Sequence, residues 1–220
     1  MNFIHLKSYK TERLRRINSQ NKFDKISLLD WKKILKSKEL RKHKAKLKKY
    51  YLFLRKIDYK HNNSKVYFSH PLRVACSSFH FIRNRKKVFE TITLALFHNI
   101  VETTNLKKKF LENYLGKKIT NQIYLLTVNR KKQWDIKYKN HYYKNINLDD
   151  KSTRIVKILD KLDNLFIICL AKNNFTRERY IREIEKYILP MAKKDTPKLV
   201  KYLKGLIKDS YKIGHYKKVI

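Results

Sequence analysis

Three glycines and three prolines are all that 220 residues offer for turning the chain sharply. Two-residue hairpins draw on residues that accept positive φ, so a sandwich or barrel of many short strands lacks its turn material here. Helices need no such residues, and apolar positions recur every three or four residues along most of the chain. The most apolar run is 152–172, with Ile155, Val156, Ile158, Leu159, Leu162, Leu165 and Ile168. Val88, Phe89, Ile92, Ala95, Leu96 and Ile100 predict a second helix ending near Thr103-Thr104. Leu111, Leu115, Ile119, Ile123 and Leu126 predict a third over 110–128. Pro71 suits the first turn of a helix, with Ser69 or His70 near its cap. Residues 177–194, interrupted by Pro190, and 197–213 supply two more, and 130–150 reads as a helix joined to a loop at 147–150. Residues 11–56 predict two or three amphipathic basic helices, and the polar stretch 58–69 a loop. The expected class is all-α.

The chain carries 55 Lys+Arg against 18 Asp+Glu, a formal charge of +37, while 42% hydrophobic residues supply a core and exclude general disorder. Such a charge repels itself, and an anionic partner relieves that strain. The basic groups crowd the ends: 17 against 4 acids in residues 1–50, and 9 against 2 in the last thirty. They fit an RNA- or polyanion-binding role and equally a set of wet helix faces, and no nucleic-acid motif decides between them. Peripheral attachment to anionic lipid ranks low, because 33–49 contains no Trp or Phe. Cys76 and Cys169 lie in apolar surroundings and read as buried thiols in a reducing, cytoplasmic setting. The opening residues lack a secretory apolar run, and 165–171 is too short to cross a bilayer.

Polar groups interrupt the apolar pattern at three places. Ser69-His70-Pro71 stands at a helix entrance, His98-Asn99 with Glu102-Thr103 near the end of the second helix, and Asp160 with Asp163 and Asn164 in the most apolar one. Asp160 and Asn164 are four apart and share a face. A carboxylate in such a helix needs a cation, a metal or several donors. Two imidazoles and a carboxylate from three helices can close around one ion, and this donor set suits Mn, Fe or Zn rather than Ca. His43, His80, His141 and His215 are left as ordinary core or surface histidines.

The order of these places resembles a known family. HPLRVA at 70–75, ALFHNIVETT at 95–104 and RIVKILDKLDNL at 154–165 are similar to the three blocks of HD-type metal phosphohydrolases, most of all the RelA/SpoT-type alarmone hydrolases and their stand-alone small relatives. FLENYLGKKITNQIYLLTVNRK at 110–131 resembles the stretch after the second block and RYIREIEKYILPMAK at 179–193 the helix after the third, so the likeness spans about residues 50–193. It implies an HD-domain helical bundle over 50–194, with basic helical extensions at 1–49 and 195–220. It also implies hydrolysis of the 3′-pyrophosphate of (p)ppGpp, a stringent-response nucleotide, with Mn²⁺ or a similar divalent ion. Carried over by position, His70, His98, Asn99 and Asp160 are the metal positions, Glu102 the catalytic acid, and His61, Lys65 and Asn164 substrate contacts.

Several positions depart from the family pattern. The aspartate of the HD pair is Asn99, which removes one charge and a strong oxygen ligand, and the second acid after the pair is Thr103. His61 stands where an Arg is usual, leaving Lys60 or Lys65 to replace it, and Ser64-Lys65-Val66 replaces a Gly-Glu-Pro run. These changes in one site imply weakened or lost hydrolysis. The alternative is a non-catalytic basic protein that holds RNA or another polyanion on the same scaffold.

Overall fold

A computed structural model describes residues 8–18, 22–60, 64–82 and 84–216. Among these the only regular structure is helical. The chain runs through α1 (Tyr9–Asn18), α2 (Lys25–Ile34), α3 (Lys44–Lys56), α4 (Ser64–Tyr67), α5 (Ser69–Phe81), α6 (Val88–Phe97) and α7 (Ile100–Thr103). It continues through α8 (Lys108–Leu115), α9 (Lys117–Leu126), α10 (Ile136–Leu148), α11 (Lys151–Leu165), α12 (Asn174–Glu183), α13 (Leu189–Asp195) and α14 (Pro197–Ile213). None of these helices is long and apolar enough to cross a membrane.

Local chemistry accounts for most boundaries. Asp24, Asp135, Asp150 and Asn173 each cap a helix by accepting a backbone N–H from its first turn. Gly116, at φ +91°, splits the expected 110–128 helix into α8 and α9, because a residue with a Cβ is strained in that conformation. The 88–103 run breaks at His98-Asn99, where Asn99 leaves the helical region at φ −103°, ψ 5°. The expected loop at 58–69 contains the short α4. Residues 174–195 stay helical throughout, with a wider π turn at Ile184–Ile188 directly before Pro190, which cannot donate to the preceding turn. The 152–172 run ends as α-helix at Leu165 and finishes in a 3₁₀ turn at Ile168–Leu170.

α11 is the axis of the core and packs against α5, α6, α9, α10, α13 and α14. Its apolar side chains Ile155, Val156, Ile158, Leu159, Leu162 and Leu165 are all buried, beside Leu72, Val74 and Ala75 of α5 and Ile92, Ala95 and Leu96 of α6. Burying an aliphatic side chain of this size contributes about 1.5–3 kcal/mol. This packing brings the start of α5, the end of α6 and the middle of α11 to one spot. Cys76 and Cys169 are buried and free, and burial pushes the Cys76 thiol well above its ordinary range.

Candidate functional site

His70 lies in the first turn of α5, where Pro71 is tolerated because first-turn amides have no intrahelical partner. His98 closes α6, and Asp160 sits mid-way along α11. Their ligand atoms meet: His70 Nε2 is 3.2 Å from His98 Nε2 and 3.3 Å from Asp160 Oδ1, and His98 Nε2 is 3.5 Å from the same oxygen. Ligands 2.0–2.2 Å from one ion, at tetrahedral or octahedral angles, stand about 2.8–3.6 Å apart. All three edges fall in that interval.

The far side of each ring decides which nitrogen faces inward. His98 Nδ1 is 2.7 Å from the Ala95 carbonyl and His70 Nδ1 is 2.8 Å from Asp163 Oδ2. Both partners are acceptors, so both Nδ1 atoms donate, and each Nε2 lone pair is turned toward the other and toward Asp160. This is the outer arrangement that orients imidazole ligands. Two lone pairs and a carboxylate oxygen so close require a positive charge between them. A divalent ion meets that need, and in its absence a proton on His70 does. Burial opposes the His70 imidazolium, but hydrogen bonds to Asp160 and Asp163 outweigh it and raise its pKa. The donor set therefore fits a metal.

Asp160 is 4% exposed. Burial pushes its carboxyl up, yet Lys157 and the two imidazoles hold it well below the usual carboxylate range. Lys157 Nζ donates to Oδ2 at 3.0 Å and Asn164 Nδ2 to Oδ1 at 2.9 Å, so the predicted i,i+4 pair forms. Asp163 is buried as well, gripped by Arg73 at 2.9 Å and by Arg16 from the distant α1.

Beside the triad opens a cleft of about 550 Å³, lined among others by Tyr67, His70, Arg73, Asn99, Arg130 and Asn164. Its size suits a small-molecule ligand, and its arginines suit an anion. Asn99 and Thr103 share hydrogen bonds with the hydroxyl of the half-buried Tyr67, whose pKa desolvation raises to about 12. Thr103 Oγ1 also donates to the Asn99 carbonyl at 2.7 Å. Glu102 is not among the residues lining this cleft: Oε1 accepts from the Val128 amide at 2.9 Å, and Oε2 pairs with Arg130 Nη2 at 2.6 Å.

Thus His70, His98 and Asp160 come together, with Asn99 and Asn164 on the adjoining cleft and Glu102 held at one remove by Arg130. His61 lies outside the described residues, as does the Lys65 side chain. His43, His80, His141 and His215 make contacts elsewhere. The sequence reading missed Lys157, Arg130 and Tyr67, and gave Arg73 and Arg16 no role. Arg73 stands inside HPLRVA and Lys157 three residues before Asp160, so only their proximity to the blocks hinted at them.

No family model matches the sequence, and no curated protein sequence matches it. Among solved structures, one of a metazoan orthologue of SpoT, a protein that hydrolyses ppGpp and plays a role in starvation responses, is similar with a TM-score of 0.56 and 18% identity. The similarity covers 79% of this chain and 96% of that one. Likeness at this identity is a likeness of fold alone, and the shared fold is a helical bundle.

Proposed function

We propose that this chain is an impaired HD-type metal-dependent phosphohydrolase, binding one divalent ion and slowly removing the 3′-pyrophosphate of a guanosine bis(diphosphate). The observation that carries this reading is the convergence of two oriented Nε2 atoms and Asp160 Oδ1 within 3.2–3.5 Å of one another beside an arginine-lined cleft. The fold shared with a ppGpp-hydrolysing protein adds support. His70, His98 and Asp160 would hold the ion, which supplies Lewis-acid polarisation of a phosphoryl oxygen and a lowered pKa for water.

The chain's own residues explain the impairment. Asn99 brings a neutral amide to the cleft, a weaker ligand than a carboxylate and no proton acceptor. Thr103 is engaged as a donor to the Asn99 carbonyl and cannot act as a base at neutral pH. Glu102 is the remaining carboxylate, and it reaches a substrate only when Arg130 lets go of it. Arg130 is well placed to do so: its side chain is 70% exposed, and a substrate phosphate competes for the same guanidinium.

Protein purified without chelator should carry about one equivalent of Mn²⁺ or a similar ion, and His98→Ala should lose it. With Mn²⁺ and (p)ppGpp, the native chain should turn over slowly and Asn99→Asp at least about tenfold faster. Metal far below one ion per chain rejects the metal centre, and absence of turnover in both proteins rejects the hydrolase reading.

A further inference from the structure

We propose that Arg16 is a positioning residue for the His70 imidazole, acting through Asp163 as the closing member of a ring of six charges. The consequence for metal binding rests on the reading of His70 as a ligand; the ring does not.

The ring alternates in sign throughout. Glu12 pairs with Arg15 at 2.9 Å, Arg15 with both oxygens of Asp24 at 2.9 Å, Asp24 with Arg73 at 3.5 Å and Arg73 with Asp163 at 2.9 Å. Asp163 pairs with Arg16, and Arg16 returns to Glu12 at 3.4 Å. All but Arg15 are under one-tenth exposed. Burying charges is costly unless every one is compensated, and an apolar cluster usually packs the same space at lower cost. In this ring every charge has an opposite neighbour on both sides, so the arrangement is sustainable, and Asp163 is the point where it meets the site.

The reach of each arginine separates their roles. Arg73 grips both Asp163 oxygens, Nε at 3.0 and 3.1 Å and Nη2 at 2.9 Å from Oδ2, the oxygen that also meets His70. Arg16 Nη1 donates to Oδ1. Arg16 is itself fixed by Glu12 and by the face of Phe166, 4.5 Å from its guanidinium carbon. With Oδ1 held by Arg16 as well as by Arg73 Nε, Oδ2 stays on His70 Nδ1, and Nε2 stays on His98 and Asp160. Arg13, one turn earlier on α1, is the built-in comparison. It bonds Asp209, Ser210 and the carbonyls of Leu165 and Phe166, docking the same helix without touching Asp163.

The test compares Arg16→Gln, Arg16→Lys and Arg13→Gln, each retaining the native circular dichroism. In metal-free, ¹⁵N-labelled wild type, the His70 Nδ1 proton, assigned by its loss in His70→Asn, should be downfield and slow to exchange. Arg16→Gln should lose that protection and bind Mn²⁺ about tenfold or more weakly by calorimetry. Arg16→Lys should recover part of both, whereas Arg13→Gln should lower the melting temperature and leave both unchanged. An unaltered His70 Nδ1 proton in Arg16→Gln overturns the proposal, as does equal weakening of Mn²⁺ by Arg13→Gln. Should wild type take no Mn²⁺, the metal reading fails and the proton measurement still decides the role of Arg16. Should Arg16→Gln not fold, the contrast of Arg16→Lys with Arg13→Gln decides it.

Discussion

Glu183→Gln is expected to destabilise the protein by about 3 kcal/mol at neutral pH, an effect that should fade as the solution is acidified. The carboxylate at the end of α12 gathers Lys161 of α11 at 2.7 Å, with Lys139 and the Tyr143 hydroxyl of α10 at 2.5 Å, and so staples three helices. Burial pushes its pKa up, but the two lysines outweigh burial and bring it from 4.5 to about 2. Each tenfold in proton affinity is worth about 1.4 kcal/mol, so the displacement corresponds to about 3 kcal/mol. The folded pKa is the lower one. The contribution is therefore complete above about pH 5, roughly halved by pH 3 and nearly gone by pH 2. Lys161 works the other way, since burial lowers its ammonium in spite of Glu183, and the whole cluster is worth less than its carboxylate alone. Urea unfolding of wild type and Glu183→Gln from pH 7 to pH 3 measures the gap directly. At about 2–4 °C per kcal/mol the melting temperature should fall by about 6–12 °C at pH 7. A gap under about 1 kcal/mol at pH 7, or one that does not shrink toward pH 3, refutes the reasoning.

Leu203→Ala, at a fully buried position of α14, should cost about 2–5 kcal/mol in chemical denaturation and leave bound metal per folded chain unchanged. Gly116→Ala should cost about 1–3 kcal/mol: nothing lies within 4 Å of the added Cβ, so the whole penalty is the backbone at φ +91°. Arg130→Ala should raise KM for an anionic substrate and also lower the melting temperature, because the Glu102 carboxylate, 7% exposed, loses the cation that compensates it.

The helical class was legible in the sequence because it rests on local order, and the three blocks because they resemble the motifs of a known family. A 3.6-residue period needs no knowledge of partners, and it put Asp160 and Asn164 on one face, where they bond at 2.9 Å. The last helix, expected over 197–213, is Pro197–Ile213. Boundaries misread were those where one residue's backbone overrode the pattern: Gly116 inside an unbroken apolar run, and Asn99 at the break between α6 and α7.

By itself the sequence determined that this chain is a helical bundle with His70, His98 and Asp160 as its polar exceptions. Tertiary structure alone decided what surrounds them. Arg73 and Arg16 reach Asp163 across separations of 90 and 147 residues, and Glu102 is turned away to Val128 and Arg130. The reason is physical: periodicity reports which side of a helix avoids water, whereas an ion pair between helices depends on how their faces are brought together, and no spacing along the chain encodes that.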